Sequence, residues 1–259
     1  MLPAITALDP ASPVLKAFSC YRGLIESAGT AHVAEHGLGG KLLYIGELDE
    51  QGRAMTIAGN VAGCAALAVT ADPDAQKQAV RVGVVDFLVT SLDEALRILK
   101  NEIRKQLTVA VCIAATPGDV EREMLDRGVQ PDLTRDDAIH QSGLDFQEPS
   151  QERQSATVMW AVEELPARWL PRLDAIALAS LQPLDQWSRR WIRHSPRYLG
   201  RVASNLRVIS ADREFATRFT ERLRSAVDSH QIGTAATVWV TSEAGPEEYR
   251  FHPAQPPSI

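Results

Sequence analysis

The chain has few cysteines, few aromatics and no excess of positive charge, and each shortage removes a class of function. Its three cysteines, Cys20, Cys64 and Cys112, stand far apart and in odd number, without the CxxC spacing of a redox pair or a zinc knuckle. A disulfide framework and a cysteine metal site are therefore excluded. Cys64 and Cys112 sit inside apolar runs, where a thiol packs as a small hydrophobe, and Cys20 has no reading of its own. Lys and Arg total 27 against 33 acidic residues, a net charge of −6. That balance argues against a nucleic-acid coat or a membrane-surface binder, because phosphate affinity accumulates from Lys and Arg. The longest apolar stretch, Val61 to Ala71, is too short to span a bilayer, and the N-terminus lacks the charged and apolar regions of a signal peptide. The expected location is the cytoplasm. A Gly-x-Ser-x-Gly elbow and a Walker loop are also missing.

What the chain does have is 259 residues, 45% of them hydrophobic, enough for one large α/β domain or two small ones. Short aliphatic runs at Leu42–Ile45, Ala65–Val69, Val84–Val89 and Val109–Ala114 read as strands covered on both faces. Helical patterns separate them. Leu92, Leu96, Leu99 and Ile103 form one stripe, with Ser91 and Glu94 spaced as a capping box. Pro73 and Asp119 are expected to open further helices, and Gly128 to close one. Gly59, Gly63 and Gly83 read as structural, serving close packing or a turn after a helix. Strand and helix in alternation predict a parallel sheet. A polar stretch from Gln141 to Ser155 reads as a linker. Beyond it, helical stretches are expected over Thr157–Ala179 and Leu184–Ala203, interrupted by Pro166, Pro171 and Pro183. A strand–helix–strand unit then runs over Leu206–Ser210, Asp212–Val227 and Thr237–Thr241.

The segment Val61-Ala-Gly-Cys-Ala-Ala-Leu-Ala-Val-Thr-Ala-Asp72 is followed, at ungapped spacing, by Gly83 and by Val89-Thr-Ser-Leu-Asp-Glu-Ala-Leu96. With Glu35-His-Gly-Leu-Gly-Gly-Lys-Leu-Leu43, Asp119-Val120 and Asp126-Arg-Gly-Val-Gln-Pro-Asp-Leu133, it resembles the nucleotide-binding core of the urocanate hydratase family. The resemblance implies a Rossmann-like parallel sheet flanked by helices; the second half carries no such resemblance and reads, from its own pattern, as an added helix-rich C-terminal region with a further strand-helix-strand unit. The expected division is an N-terminal helical segment at 1–36, a Rossmann-like domain at 37–145, a C-terminal α/β region at 156–242 and a disordered tail at 243–259.

The same resemblance implies tightly bound NAD, held by a glycine-rich GLGGMSGAQ run whose amides and following helix N-terminus take the pyrophosphate. Here that run reads Glu47-Leu-Asp-Glu-Gln-Gly-Arg-Ala-Met55 and keeps only Leu48 and Ala54. Glu47, Asp49 and Glu50 stand where a diphosphate would lie. Two unit charges ~4 Å apart repel by ~1 kcal/mol in water and ~4 kcal/mol at a partly buried dielectric. The family's ribose-binding acid falls on Thr70, a following arginine on Ala75, and a Gly-Asn pair on Ala115-Thr116. Its DQTSAH-type run falls on Asp136-Asp-Ala-Ile-His-Gln141, with the histidine displaced to His140. The expectation is a retained fold, no NAD, and a ligand cleft lined by Gly46, Glu47, Asp49, Thr70, Thr116, Asp136, Asp137 and His140. Asp136, Asp137 and His140 read either as an acid/base cluster or partial metal site, or as a loop cap.

His32-Val-Ala-Glu-His36 matches the HxxEH pattern of a class of zinc peptidases. The pattern runs straight into Gly37-Leu-Gly-Gly40, so a helix terminus is the preferred account and no metal is expected. The run Gln186 to Arg201 holds five arginines, two tryptophans and no acid. Trp187, Arg189, Arg190, Trp191 and Arg193 form either a packed helix face or an interaction face for a homo-oligomer or an acidic protein partner. The overall expectation is a non-catalytic ligand- or protein-binding module. The alternative is a lyase of the urocanate hydratase type, acting on an imidazole acid in histidine degradation, or an NAD-independent enzyme in the same cleft.

Overall fold

The computed structural model describes residues 12–29, 37–141, 155–200, 205–242 and 245–253. The His32, Glu35 and His36 motif, the linker after Gln141 and the His140 side chain lie outside them. The described residues divide into two compact units, one of 15–141 with 197–200, the other of 155–196, 205–242 and 245–253 with 12–14.

The first unit runs α1 (Pro13–Ala28, from Leu15), β1 (Leu42–Glu47), α2 (Glu50–Ala62), β2 (Ala65–Val69), α3 (Pro73–Arg81), β3 (Phe87–Val89), α4 (Leu92–Lys105), β4 (Val109–Ile113), α5 (Pro117–Asp126), β5 (Leu133–Thr134) and α6 (Arg135–Gln141). Its five strands are all parallel, in the order β3-β4-β2-β1-β5. Every residue of β2 and β4 is buried, as continuous aliphatic runs between two helical layers require. On one face, α4 and α5 bury Leu92, Leu96, Leu99, Val120 and Met124 against Leu42, Leu67, Val69, Val111 and Ile113. Right-handed crossovers place α2 and α3 on the other.

Local chemistry sets the element ends. Pro73 opens α3 behind the Asp72 cap. Ser91 caps α4 by accepting the Glu94 N–H, but the Glu94 carboxylate returns to the Thr90 amide, one residue earlier than a standard capping box. α5 starts at Pro117 behind Thr116, two residues before the expected Asp119. The expected strand over Val84–Val89 is shortened to Phe87–Val89, because Val84 and Val85 spend their amides on the Ala79 carbonyl that ends α3.

The second unit contains β6 (Ser155–Val162), α7 (Pro166–Ser180), α8 (Gln186–Leu199, to Pro196), β7 (Leu206–Asp212), α9 (Arg213–Asp228), β8 (Ala236–Ser242) and β9 (Gly245–Phe251). Its sheet is antiparallel, in the order β7-β6-β8-β9. The strand–helix–strand unit is present as β7-α9-β8, but β6 lies between its two strands. Two expectations are corrected here. Thr157 to Val162 is a central strand and not the start of a helix, because β7 and β8 satisfy its backbone on both sides and bury Val158, Met159 and Trp160. Gly245–Phe251, inside the tail expected to be disordered, is an edge strand paired with β8. Pro166 occupies the first turn of α7, and Pro171 is accommodated inside it.

The core of this unit is aromatic with one buried ion pair. Trp160 packs on Phe219 of α9 with ring centroids 5.1 Å apart, and Phe219 stacks on Phe215 at 5.6 Å. Trp160 Nε1 donates to Asp174 Oδ1 at 3.1 Å, and Arg207 Nε donates to Asp174 Oδ2 at 3.1 Å.

Candidate functional site

Chain order and strand order together locate the crevice of the first unit. From β2 the chain moves through α3 to β3 on one side, and from β4 it returns through α5 to β5 on the other. Ligands of open parallel sheets collect outside the carboxyl ends at such a reversal, here between β2 and β4, and the expected residues Glu47 and Asp49 follow the neighbouring strand β1.

At the end of β1 the register shifts between Tyr44 and Gly46, and Gly46 takes φ +71°, a conformation that favours glycine. The shift aligns Glu47 with Val69, on the same face as Tyr44, which is aligned with Leu67. Tyr44 is half-buried and donates to the Glu121 carboxylate at 3.0 Å. Burial and that bond, with Glu47 nearby, push its phenol above the ordinary range.

The turn into α2 is closed by the chain itself. Asp49 is the N-cap, and its Oδ1 accepts the Gly52 N–H at 2.6 Å. A Cβ on Gly52 would lie 2.1 Å from the Glu47 carbonyl oxygen, so glycine is needed here for a close approach made by the protein's own backbone. Arg135, from the β5–α6 turn, reaches the turn after β1 with Nη1 3.3 Å from Asp49 Oδ1 and 3.3 Å from the Glu47 carbonyl. Beside the first turn of α2, α1 brings Lys16 to Glu50 at 2.6 Å and Cys20 to Gln51 Nε2 at 3.3 Å. Burial pushes the Cys20 thiol up to about 12.

The remaining expected residues serve their own turns. Thr70 is buried; its hydroxyl accepts the Asp72 N–H and its carbonyl the Gln76 side-chain amide. Thr116 caps α5 by accepting the Asp119 N–H, and its hydroxyl donates to the Asp119 carboxylate. Asp137 accepts from both the amide and the hydroxyl of Thr134, while its own N–H returns to the Thr134 hydroxyl. That reciprocal pattern is a helix cap, which favours the loop-cap reading of this acid. Asp136 is exposed. Among the described residues no group of three or more His, Cys, Asp or Glu has the geometry to hold a metal ion.

Glu47 and Asp49 are thus brought together at Arg135, while among the described residues no side-chain hydrogen bond or ion pair joins Thr70, Thr116 or Asp137 to them. Arg135 was missed by sequence reasoning. Its signal was a basic side chain beside Asp136, directly after the family-like run Asp126–Leu133.

In the second unit, Trp191 of the arginine- and tryptophan-rich helix is 1% exposed, and its indole N–H donates to the Val208 carbonyl of edge strand β7 at 2.8 Å. Arg189 donates to the Leu181 and Gln182 carbonyls, closing the C-terminal end of α7. Trp187 and Arg190 are half-buried, and Arg193 is exposed. Trp191 and Arg189 are thus engaged within their own unit. No helix among the described residues is long and apolar enough to cross a membrane. A family model of the urocanase Rossmann-like domain matches residues 21–151, and the antiparallel sheet follows that match in the chain.

Proposed function

This chain belongs to the urocanase family, and from that premise we propose that its Rossmann-like domain has lost the NAD site and works as a non-catalytic ligand- or protein-binding module. One observation carries the reading. The Asp49 carboxylate occupies the α2 amide that a pyrophosphate would take, and Arg135 is tied to that carboxylate and not directed at a ligand. The residues present do not fit the dinucleotide, because Glu47, Asp49 and Glu50 put negative charge where the phosphates would carry it. Thr70 supplies no carboxylate for a ribose, and its hydroxyl is engaged in the β2–α3 turn.

A second reading, an enzyme using the same cleft without NAD, is favoured by the Gly46 bulge that turns Glu47 to the face of Tyr44 and Glu121. Bulges that re-aim a side chain are over-represented beside active sites. Two measurements separate the readings. Mass spectrometry of the denatured protein and calorimetry with added NAD are expected to detect no cofactor at micromolar concentration; retained NAD would sink the first reading. A urocanate consumption assay is expected to be negative. Turnover that is lost in Glu47→Gln would establish the second.

A further inference from the structure

Between Asp185 and Asp212 the chain has six arginines and no acidic residue, although 33 of its 259 residues are acidic. α8 fills the first half of that gap. At about 100° per residue, Trp191, Ile192, Ser195 and Leu199 fall on one side of the helix, and each is at most 2% exposed. Arg190, Arg193 and Arg197 fall on the opposite side, where Arg190 is half-buried and the other two are exposed. α8 is thus anchored by its apolar side and presents a line of guanidinium groups on the other.

Folding gives no reason for this line. Like charges one helical turn apart destabilise a helix, and Arg190–Arg193 and Arg193–Arg197 are two such pairs. Elsewhere in the same unit, Arg207, Arg213 and Arg250 are set against Asp174, Glu247 and Glu248. Among the described residues no carboxylate pairs with Arg193 or Arg197, the latter lying over the ring of its neighbour Tyr198.

We infer that the arginine side of α8 is a docking surface for an acidic helical segment of a partner protein. Charge names the occupant, since the line holds cations and no acid. Spacing narrows it further. Arg193 lies about 4.5 Å beyond Arg190 along the axis, and Arg197 about 6 Å beyond Arg193. Carboxylates at i, i+3 and i+7 of a helix laid along α8 repeat those rises, and each guanidinium takes a carboxylate through two parallel N–H bonds. Trp187, half-buried one turn before Arg190, adds an aromatic flank of the kind that concentrates binding energy. Nucleic acid is disfavoured, because three arginines neutralise at most about three phosphates and the net charge of −6 opposes a polyanion over the rest of the surface. A lipid surface is disfavoured because the apolar side of α8 is already spent on the protein's own core. The surface does not depend on the state of the NAD site.

Fluorescence anisotropy of the full chain with a labelled alanine-rich helical peptide, bearing glutamate at the i, i+3 and i+7 positions, tests the inference. A dissociation constant of about 10–100 µM is expected at low salt, rising as salt is added, and the same peptide with glutamine is expected not to bind. Arg193→Glu and Arg197→Glu are each expected to weaken binding at least about ten-fold with the thermal melt unchanged, and Arg193→Gln to weaken it less. Arg222→Glu, an equal change of charge on the exposed side of α9, is expected to leave it within about two-fold. No binding of the glutamate peptide, equal binding of the glutamine peptide, or an Arg222→Glu loss as large as that of Arg193→Glu overturns the inference. So does tighter binding of oligothymidylate, which would make the surface a nucleic-acid site.

Discussion

Arg135 and Asp49 meet at 3.3 Å between the turns that follow β5 and β1, and the same Asp49 oxygen holds the Gly52 amide at 2.6 Å. The negative charge that a helix N-terminus attracts is supplied here by the protein, and the arginine that would attract a ligand anion is already compensated. Because the Arg135 side chain is 27% exposed and that of Asp49 51%, the ion pair itself stabilises the fold by about 0–1 kcal/mol. Arg135→Ala is therefore expected to change the urea midpoint little. Asp49→Ala, which also removes an N-cap, is expected to cost about 1 kcal/mol. A larger loss for Arg135→Ala would mean that the arginine organises both turns.

Gly52 and Gly63 carry different constraints, and substitutions should separate them. Gly52→Ala drives a methyl into the Glu47 carbonyl, backbone against backbone, and is expected to destabilise by about 1–3 kcal/mol or more. Gly63 closes α2 at φ 103°, so Gly63→Val is expected to cost about 1–3 kcal/mol from left-handed strain together with crowding. Thermal melts check both. An unchanged melting temperature for Gly63→Val would contradict the observed cap.

The buried pair Asp174–Arg207 gives the C-terminal unit a specific sensitivity. Burial raises the Asp174 carboxyl above its ordinary value near 3.8, against the opposing pull of Arg207 and the Trp160 indole. Because the folded state holds this proton more tightly than the unfolded chain, the group's contribution to stability is full below about 3.8 and falls as pH rises through the raised value. Asp174→Asn is expected to abolish that slope in urea titrations run across the acid range. Asp174→Ala removes the carboxylate that the Arg207 guanidinium and the Trp160 indole bond, and is expected to cost about 3–5 kcal/mol.

Tyr44 is expected to ionise later than the exposed tyrosines in an alkaline spectrophotometric titration, because it is partly buried and donates to Glu121. The sign follows from the raised value: the interaction is intact below the unfolded tyrosine pKa and is lost as pH rises above it. Glu121→Gln should bring the transition down. A titration unchanged by that variant would remove Glu121 as a cause.

The cysteines are expected to resist thiol reagents in the native protein and to react together on unfolding. All three are buried, and burial lifts Cys20 to about 12 and Cys112 to about 11, which leaves almost no thiolate near neutral pH. Rapid native labelling of Cys20 would show that α1 opens readily from the first turn of α2.

The sequence alone determined the elements whose signals are local. β1, β2 and β4 follow from continuous aliphatic runs, α4 from its stripe and Ser91 cap, and the acid-bearing turn at Glu47 and Asp49 from its position after the first strand. Tertiary structure decided what local signals leave degenerate. Val158-Met-Trp160 is as apolar as a buried helix face and becomes a strand because β7 and β8 flank it, while β9 is ordered by its pairing with β8 and its contacts with α9. Arg135 stands 86 residues from Asp49, and only the α5 crossover that returns the chain to the far side of β1 makes them neighbours. Periodicity and capping act over a few residues, whereas the crevice and the Arg135–Asp49 pair depend on strand order, which the pattern of any single segment does not encode.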